Sequence, residues 1–237
     1  MSFTIWTPLA VASEAYPWQG SIWRMVEAQH IASTMKIVDE PGEQDLLEQL
    51  LEASKPPLPI ATLGLDPLLA TPFRYDPLRQ GSRFRSMLEP GVFYGAESVR
   101  TAGAELGYWR WRFLNDALDL DKLAPVPHTT FQSEIRTEVI DLRRPPFQED
   151  ESVWRHKTDY TATQAFARVA RESHVGGIVY QSVRDPDSGW CLAVMTPRAF
   201  AKPKPHPSIQ TWWLAVYPDK VIWRRERASM TFLATDF

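Results

Sequence analysis

The stretch GIVYQSVRDPDSGWCLAVMT, residues 177–196, decides the architecture of the chain. Two apolar runs, GIVYQSV and WCLAVMT, flank RDPDSG, whose Pro, Asp, Ser and Gly are turn-forming residues. The reading is an antiparallel hairpin. Downstream, TWWLAVY (211–217) and KVIWRRER (220–227) repeat the pattern across Pro218-Asp219 and predict a second hairpin. The pair Trp212-Trp213 in that hairpin reads as one core residue and one covering residue rather than as a ligand platform. Upstream, IRTEVIDL (135–142) alternates as a strand, and GVFYGAE (91–97) reads as a short one. Helical signals lie between these runs. EQDLLEQLLEA (43–53) repeats leucines at helical spacing and is stopped by Pro56-Pro57. Residues 98–118 follow Ser98, a candidate N-cap, and Thr161-Ala-Thr-Gln164 has the form of a capping box opening a helix that ends near Gly176-Gly177. The expected fold is α+β: one domain over 1–237, with a twisted, mostly antiparallel sheet and flanking helices.

Composition narrows the function. The 237 residues are 44% hydrophobic, 12% aromatic and 23% charged, enough for a substantial core. The formal net charge of -3 lacks the basic surplus of a protein that grips nucleic acid through its phosphates. A single cysteine, Cys191, rules out a disulfide framework within the chain. The opening MSFTIWTPLAVASEAYPWQG has neither a basic leader nor a long apolar stretch, so a cytoplasmic protein with no membrane partner is expected. The histidines at 30, 128, 156, 174 and 206 share no ligand spacing with one another or with Cys191, and no metal site is predicted.

Three segments carry chemistry. In IWRMVEAQH, Arg24 sits among Trp23, Met25 and Val26; a guanidinium in an apolar strand cannot shed its charge and needs an anionic or carbonyl partner. In GSRFRSMLEPGVFYGAESVRTAGAE (81–105), Gly81-Ser82 permits close backbone approach, and Arg83 and Arg85 are expected to alternate on a strand. Tyr94 lies on the next strand, and Glu105 falls inside the following helix. Its helical neighbours Thr101, Ala102, Tyr108 and Trp109 include no base, so Glu105 is expected to face inward for a purpose. In the third segment, Ser182 ends an apolar strand just before the hairpin turn. A serine so placed is commonly a filler at a strand end. No G-x-G-x-x-G loop follows a strand, which disfavours a dehydrogenase.

Taken together, Trp23-Arg24, GSRFR, PGVFYGAESVRTAGAE and IVYQSVRD followed by Gly-x-Cys-Leu-Ala-Val resemble the RES domain, named for its arginine, glutamate and serine. The resemblance is strongest over 22–196 and leaves an N-terminal arm, 1–21. It assigns the family's arginine to Arg83, its glutamate to Glu105 and its serine to Ser182, with Arg24 and Tyr94 at two further pocket positions. Where many members carry Gly-Gly-Arg-Trp-Asn, this chain has Gly81-Ser82-Arg83-Phe84-Arg85, which keeps Arg83 and leaves Arg85 without an assigned role; Arg74 and His206 also receive none. The resemblance implies an ADP-ribosyltransferase-like fold and the toxin half of a bacterial toxin–antitoxin pair; because a free NAD-consuming enzyme would poison its cell, the antitoxin is expected to occlude the NAD pocket, its carboxylate drawn to Arg24 and Arg83. NAD is then a substrate, and neither metal nor tightly bound cofactor is implied. Glu105, Arg83, Tyr94 and Ser182 would be catalytic, with Arg24, Arg83, Tyr94 and Ser182 binding NAD. The ParT-like branch, which the GSRFR block resembles, suggests transfer of ADP-ribose to a protein. Phosphate or water are the alternative acceptors, and an inactive module that only binds antitoxin is a further one.

Overall fold

The computed structural model describes residues 5–28, 40–75, 81–87 and 89–237. The helices run α1 Pro8–Ser13, α2 Pro41–Ser54, α3 Pro67–Arg74, α4 Val99–Asp116, α5 Glu151–Trp154 and α6 Thr161–Glu172. The strands are β1 Tyr16–Glu27, β2 Phe93–Ala96, β3 Leu123–Asp141, β4 Gly177–Gln181, β5 Trp190–Val194, β6 Gln210–Val216, β7 Lys220–Arg225 and β8 Ala228–Leu233. They form one sheet in the order β1-β2-β5-β4-β3-β6-β7-β8, and β1 also pairs with β3. The fold is therefore α+β, as the sequence predicts. Every pairing is antiparallel except β3–β4. Because β1 lies along β3 from Tyr16–Val139 to Glu27–His128 and also meets β2 at Trp23–Ala96, strands β1, β2, β5, β4 and β3 close into a ring. Among the described residues, no helix is long and apolar enough to cross a membrane.

Period-two alternation assigns the faces of the ring. Phe93 of β2, Val179 of β4 and Leu192 and Val194 of β5 join Ile22, Phe131 and Ile135 in one apolar cluster, against Leu69 and Phe73 of α3. Their neighbours Tyr94, Ala96, Tyr180, Cys191 and Ala193 face the other way, into a larger cluster with Ala102, Ala104 and Tyr108 of α4 and Phe166 of α6. The helix α4 follows from local chemistry. Ser98 is extended and its side chain accepts from the Thr101 amide at 3.1 Å, capping the helix where the sequence suggested. Gly103 and Gly107 then let the helix approach Trp223 and Val221.

Several expectations need correction. The strand expected at 135–142 is the end of a 19-residue one, which tolerates Pro125 and Pro127 beside a register shift between Leu123 and Val126. No capping box opens α6: Tyr160 is the N-cap without a side-chain bond, and the Gln164 amide donates instead to the carbonyls of Ser82 and Arg85. The helix ends at Glu172, ahead of Gly176, because His174 adopts φ 59° and Val175 N–H reaches back to the Ala170 carbonyl. The arm before residue 22 is built into the fold, through α1 and the first residues of β1, with Trp6 packed on Phe147 and Phe166. Finally, residues 82–85 form a tight turn, not a strand. Ser82 and Arg85 exchange both backbone bonds, and Gly81 takes φ 72° where a β-carbon would collide with the Arg85 carbonyl.

Candidate functional site

The turn, β1, β2 and α4 converge on a cavity of about 430 Å³. Arg24, Arg83, Tyr94 and Glu105 all line it, with Tyr160 and Cys191. That volume is in the range of small-molecule pockets. Of the five residues singled out from sequence, four share this wall. Ser182 does not; it lies immediately behind Glu105.

Arg83 is 8% exposed, and its Nη1 donates to the carbonyls of Trp154 at 2.8 Å and His156 at 3.1 Å. The Tyr160 ring lies 4.7 Å from its guanidinium carbon. Arg24 donates from Nη1 to the Tyr94 carbonyl at 2.7 Å and lies over the Phe93 ring, while its buried Nε has no hydrogen-bond partner among the described residues. Burial lowers the Arg24 pKa to about 10, so the group remains a cation at neutral pH. Among the described residues, neither arginine has a carboxylate within ion-pair distance. Two cations on one cavity wall, neither in a direct ion pair among the described residues, ask for an anionic ligand beside Glu105.

Tyr94 lines the cavity and also ties down the turn. Its hydroxyl accepts the Phe84 amide at 3.0 Å and meets Ser82 Oγ at 2.8 Å, which pins the turn that carries Arg83. Burial pushes its pKa up, so the phenol stays protonated. Arg85 faces away from the cavity and donates to the Glu89 carbonyl. Arg74 holds Glu52 and the Pro56 carbonyl at the surface, and His206 takes part in a turn by accepting from the Ser208 amide.

Glu105 has its pKa raised by burial, against the pull of the Ser182 hydrogen bond and the charges of Arg83 and Arg184. Ser182 Oγ accepts the amides of Arg184 at 3.2 Å and Asp185 at 3.1 Å, which occupies both of its acceptor positions. Its one proton is therefore directed at Glu105 Oε1, 2.6 Å away. That bond requires an acceptor on Glu105 and favours its ionised form. The serine acts on the carboxylate, with no lone pair left for a ligand. Cys191 Sγ lies 4.0 Å from the same oxygen, and burial holds its pKa well above the usual thiol value, so it is an inert wall. Among the described residues, no group of three His, Cys, Asp or Glu is placed to hold a metal.

Sequence reasoning missed Tyr160 and Arg184. Tyr160 ends a loop with no motif of its own, and the Trp154 and His156 carbonyls that hold Arg83 carry no side-chain signature. Arg184 lies past the end of β4 in the polar turn Ser182–Asp185, where an arginine draws no notice.

A solved structure described as the crystal structure of the M.tuberculosis MbcT-MbcA toxin-antitoxin complex is similar over 95% of this chain and 91% of that one, with a TM-score of 0.50 at 14% identity. No curated protein sequence matches the chain. A family model described as the RES domain matches residues 60–216, a span that includes Arg83, Tyr94, Glu105 and Ser182 and begins after Arg24. With that span covering most of its length, the chain belongs to the RES-domain family.

Proposed function

We propose that this chain is the toxin of a toxin–antitoxin pair, cleaving the nicotinamide–ribose bond of NAD and transferring ADP-ribose to a protein side chain. One juxtaposition carries the reading: two guanidinium groups with no carboxylate in ion-pair distance among the described residues share a cavity with a buried carboxylate that accepts from a serine hydroxyl. The arginines suit a pyrophosphate, which offers them paired oxygens. As the bond to nicotinamide breaks, its electron pair leaves with the ring nitrogen and positive charge builds on the ribose. Glu105 faces that charge. The acceptor then bonds to the ribose carbon and releases its proton. Tyr94 presents its ring to the nicotinamide while its hydroxyl holds the Arg83 turn. The chemistry calls for neither metal nor tightly bound cofactor.

Phosphate or water as acceptor would share the first step and leave the site unchanged. A catalytically inactive module is disfavoured by the complete set of Arg24, Arg83, Tyr94 and Glu105 on one wall. An antitoxin partner is supported by the likeness to a toxin–antitoxin complex, and the same two cations offer it a landing place for a carboxylate. The deciding experiment supplies NAD labelled in its adenylate half, together with phosphate or bacterial lysate. Label on protein is expected; label on a phosphorylated or free ADP-ribose would move the acceptor to phosphate or water. Intact NAD throughout would sink the enzyme reading.

A further inference from the structure

The hairpin turn that begins at Ser182 grips α4 at three levels. Asp185 Oδ2 accepts from Thr101 Oγ1 at 2.8 Å. Ser182 Oγ donates to Glu105 at 2.6 Å. The Arg184 guanidinium carbon lies 3.5 Å from the centre of the Tyr108 ring. Thr101, Glu105 and Tyr108 are separated by four and then three residues, so they form one stripe on the helix, with the acting carboxylate in the middle. Gly189 allows this closeness, because a β-carbon there would collide with Thr101 Oγ1.

Arg184 is the least expected member. It is 2% exposed, absent from the cavity wall, and has no carboxylate within ion-pair distance among the described residues. Its Nη2 donates to the Lys157 carbonyl and lies 3.5 Å from the Tyr160 hydroxyl, so the same guanidinium ties the hairpin turn to the loop whose carbonyls hold Arg83. A buried cation of this kind is costly where it only fills space. Its planar face is used by Tyr108 and its edge by the loop, a combination that an ammonium group cannot reproduce.

We propose that Arg184 is the positioning residue of the site: lying behind α4 and out of reach of substrate, it locks the Ser182–Asp185 turn onto the helix so that the Ser182 hydroxyl points at Glu105. This assignment rests on the reading of Glu105 as the acting carboxylate. The electrostatics agree, since the Arg184 charge pulls the Glu105 carboxyl down against its burial.

The test replaces Arg184→Gln and Arg184→Lys and follows two readouts. The first is the titration of the Glu105 carboxyl by carbon NMR, assigned with Glu105→Gln and independent of any activity. Its midpoint should rise by about half a unit or more in Arg184→Gln, and by less in Arg184→Lys, which keeps the charge. The second is NAD consumption, where kcat should fall on the order of tenfold in both variants with KM within about twofold, because no substrate contact is lost. An unmoved midpoint in the folded Gln variant overturns the assignment, as does a rise in KM with kcat preserved. If only the Lys variant folds, its kcat decides: the wild-type value would show that the stacked fork is dispensable. A wild-type chain that leaves NAD intact would remove the proposed reaction, yet the titration would still report on the link between Arg184 and Glu105.

Discussion

Replacing Tyr94 by Phe separates the two tasks assigned to this residue. The ring remains, and with it any stacking on a nicotinamide. The hydroxyl is lost, and with it the acceptor for the Phe84 amide and the partner of Ser82 Oγ. Phe84 is fully buried, so its N–H has no water to turn to, whereas the half-buried Ser82 has an easier substitute. A buried donor left unpaired costs about 1–3 kcal/mol. For a chain of this size each kcal/mol lowers Tm by roughly 2–4 °C, so thermal unfolding should shift down by about 2–12 °C. The effect on substrate should fall on binding. Arg83 keeps its bonds to the Trp154 and His156 carbonyls but loses the fixed turn beneath it, and KM for NAD is expected to rise on the order of tenfold with kcat less affected. Calorimetry and steady-state NAD consumption on the same preparation measure both. A variant as stable as the wild type, with kcat reduced and KM unchanged, would refute the reasoning, because the hydroxyl would then act on the reaction and not on the turn.

Two more perturbations address the remaining parts of the site. Glu105→Gln should lower turnover by a hundredfold or more, since the charge facing the developing cation is gone. The same variant should unfold at a higher temperature than the wild type at pH 7. Burial raises the Glu105 pKa in the folded chain, so the fold holds that proton more tightly than the unfolded chain does and loses stability as pH rises above the ordinary carboxylate value. The advantage of Gln should shrink as pH falls toward 4, and melts that show no such convergence would place the carboxylate in a solvated setting. For the partner, a preformed complex with the antitoxin should bind NAD far more weakly than the free chain; equal affinity would exclude occlusion at Arg24 and Arg83.

What the sequence disclosed about the fold followed from local chemistry. Ser98 predicts its own helix because a serine before a helical run has little else to do, and the two hairpins announce themselves through RDPDSG and Pro218-Asp219. Two elements that escaped, α1 and α3, begin with ordinary caps, Thr7 before Pro8 and Asp66 before Pro67, but are short; in others a residue acts against its habit. The β7–β8 turn places Glu226 at φ 53°, a conformation expected of Asn or Gly, so β8 went unseen. His174 does the same at the end of α6, and Gln164, inside that helix, turns its side-chain amide away from its own helix end to the carbonyls of Ser82 and Arg85. In each case tertiary packing overrides a local preference, and a single sequence carries no record of it.

The site divides along the same line. Arg24 and Glu105, whose side chains reach the cavity, were legible, because an arginine in an apolar strand or a glutamate without a helical counter-ion is locally anomalous and the anomaly itself points inward; Tyr160, on the same wall, carries no such anomaly. Residues that act on other residues were not legible. Ser182 reads as a ligand contact until its two acceptor positions are found occupied by the amides of Arg184 and Asp185. Only then does its proton have one destination, and the residue changes from a hand on the substrate to a constraint on Glu105. Arg184 likewise has no meaning in the chain until the hairpin is laid against α4 and its guanidinium meets Tyr108. Burial pushes the Glu105 pKa up, toward the protonated form. The hairpin turn opposes that with one directed hydroxyl and one hidden cation, so a strand connection far from the carboxylate in sequence and adjacent to it in the fold pulls its titration back down.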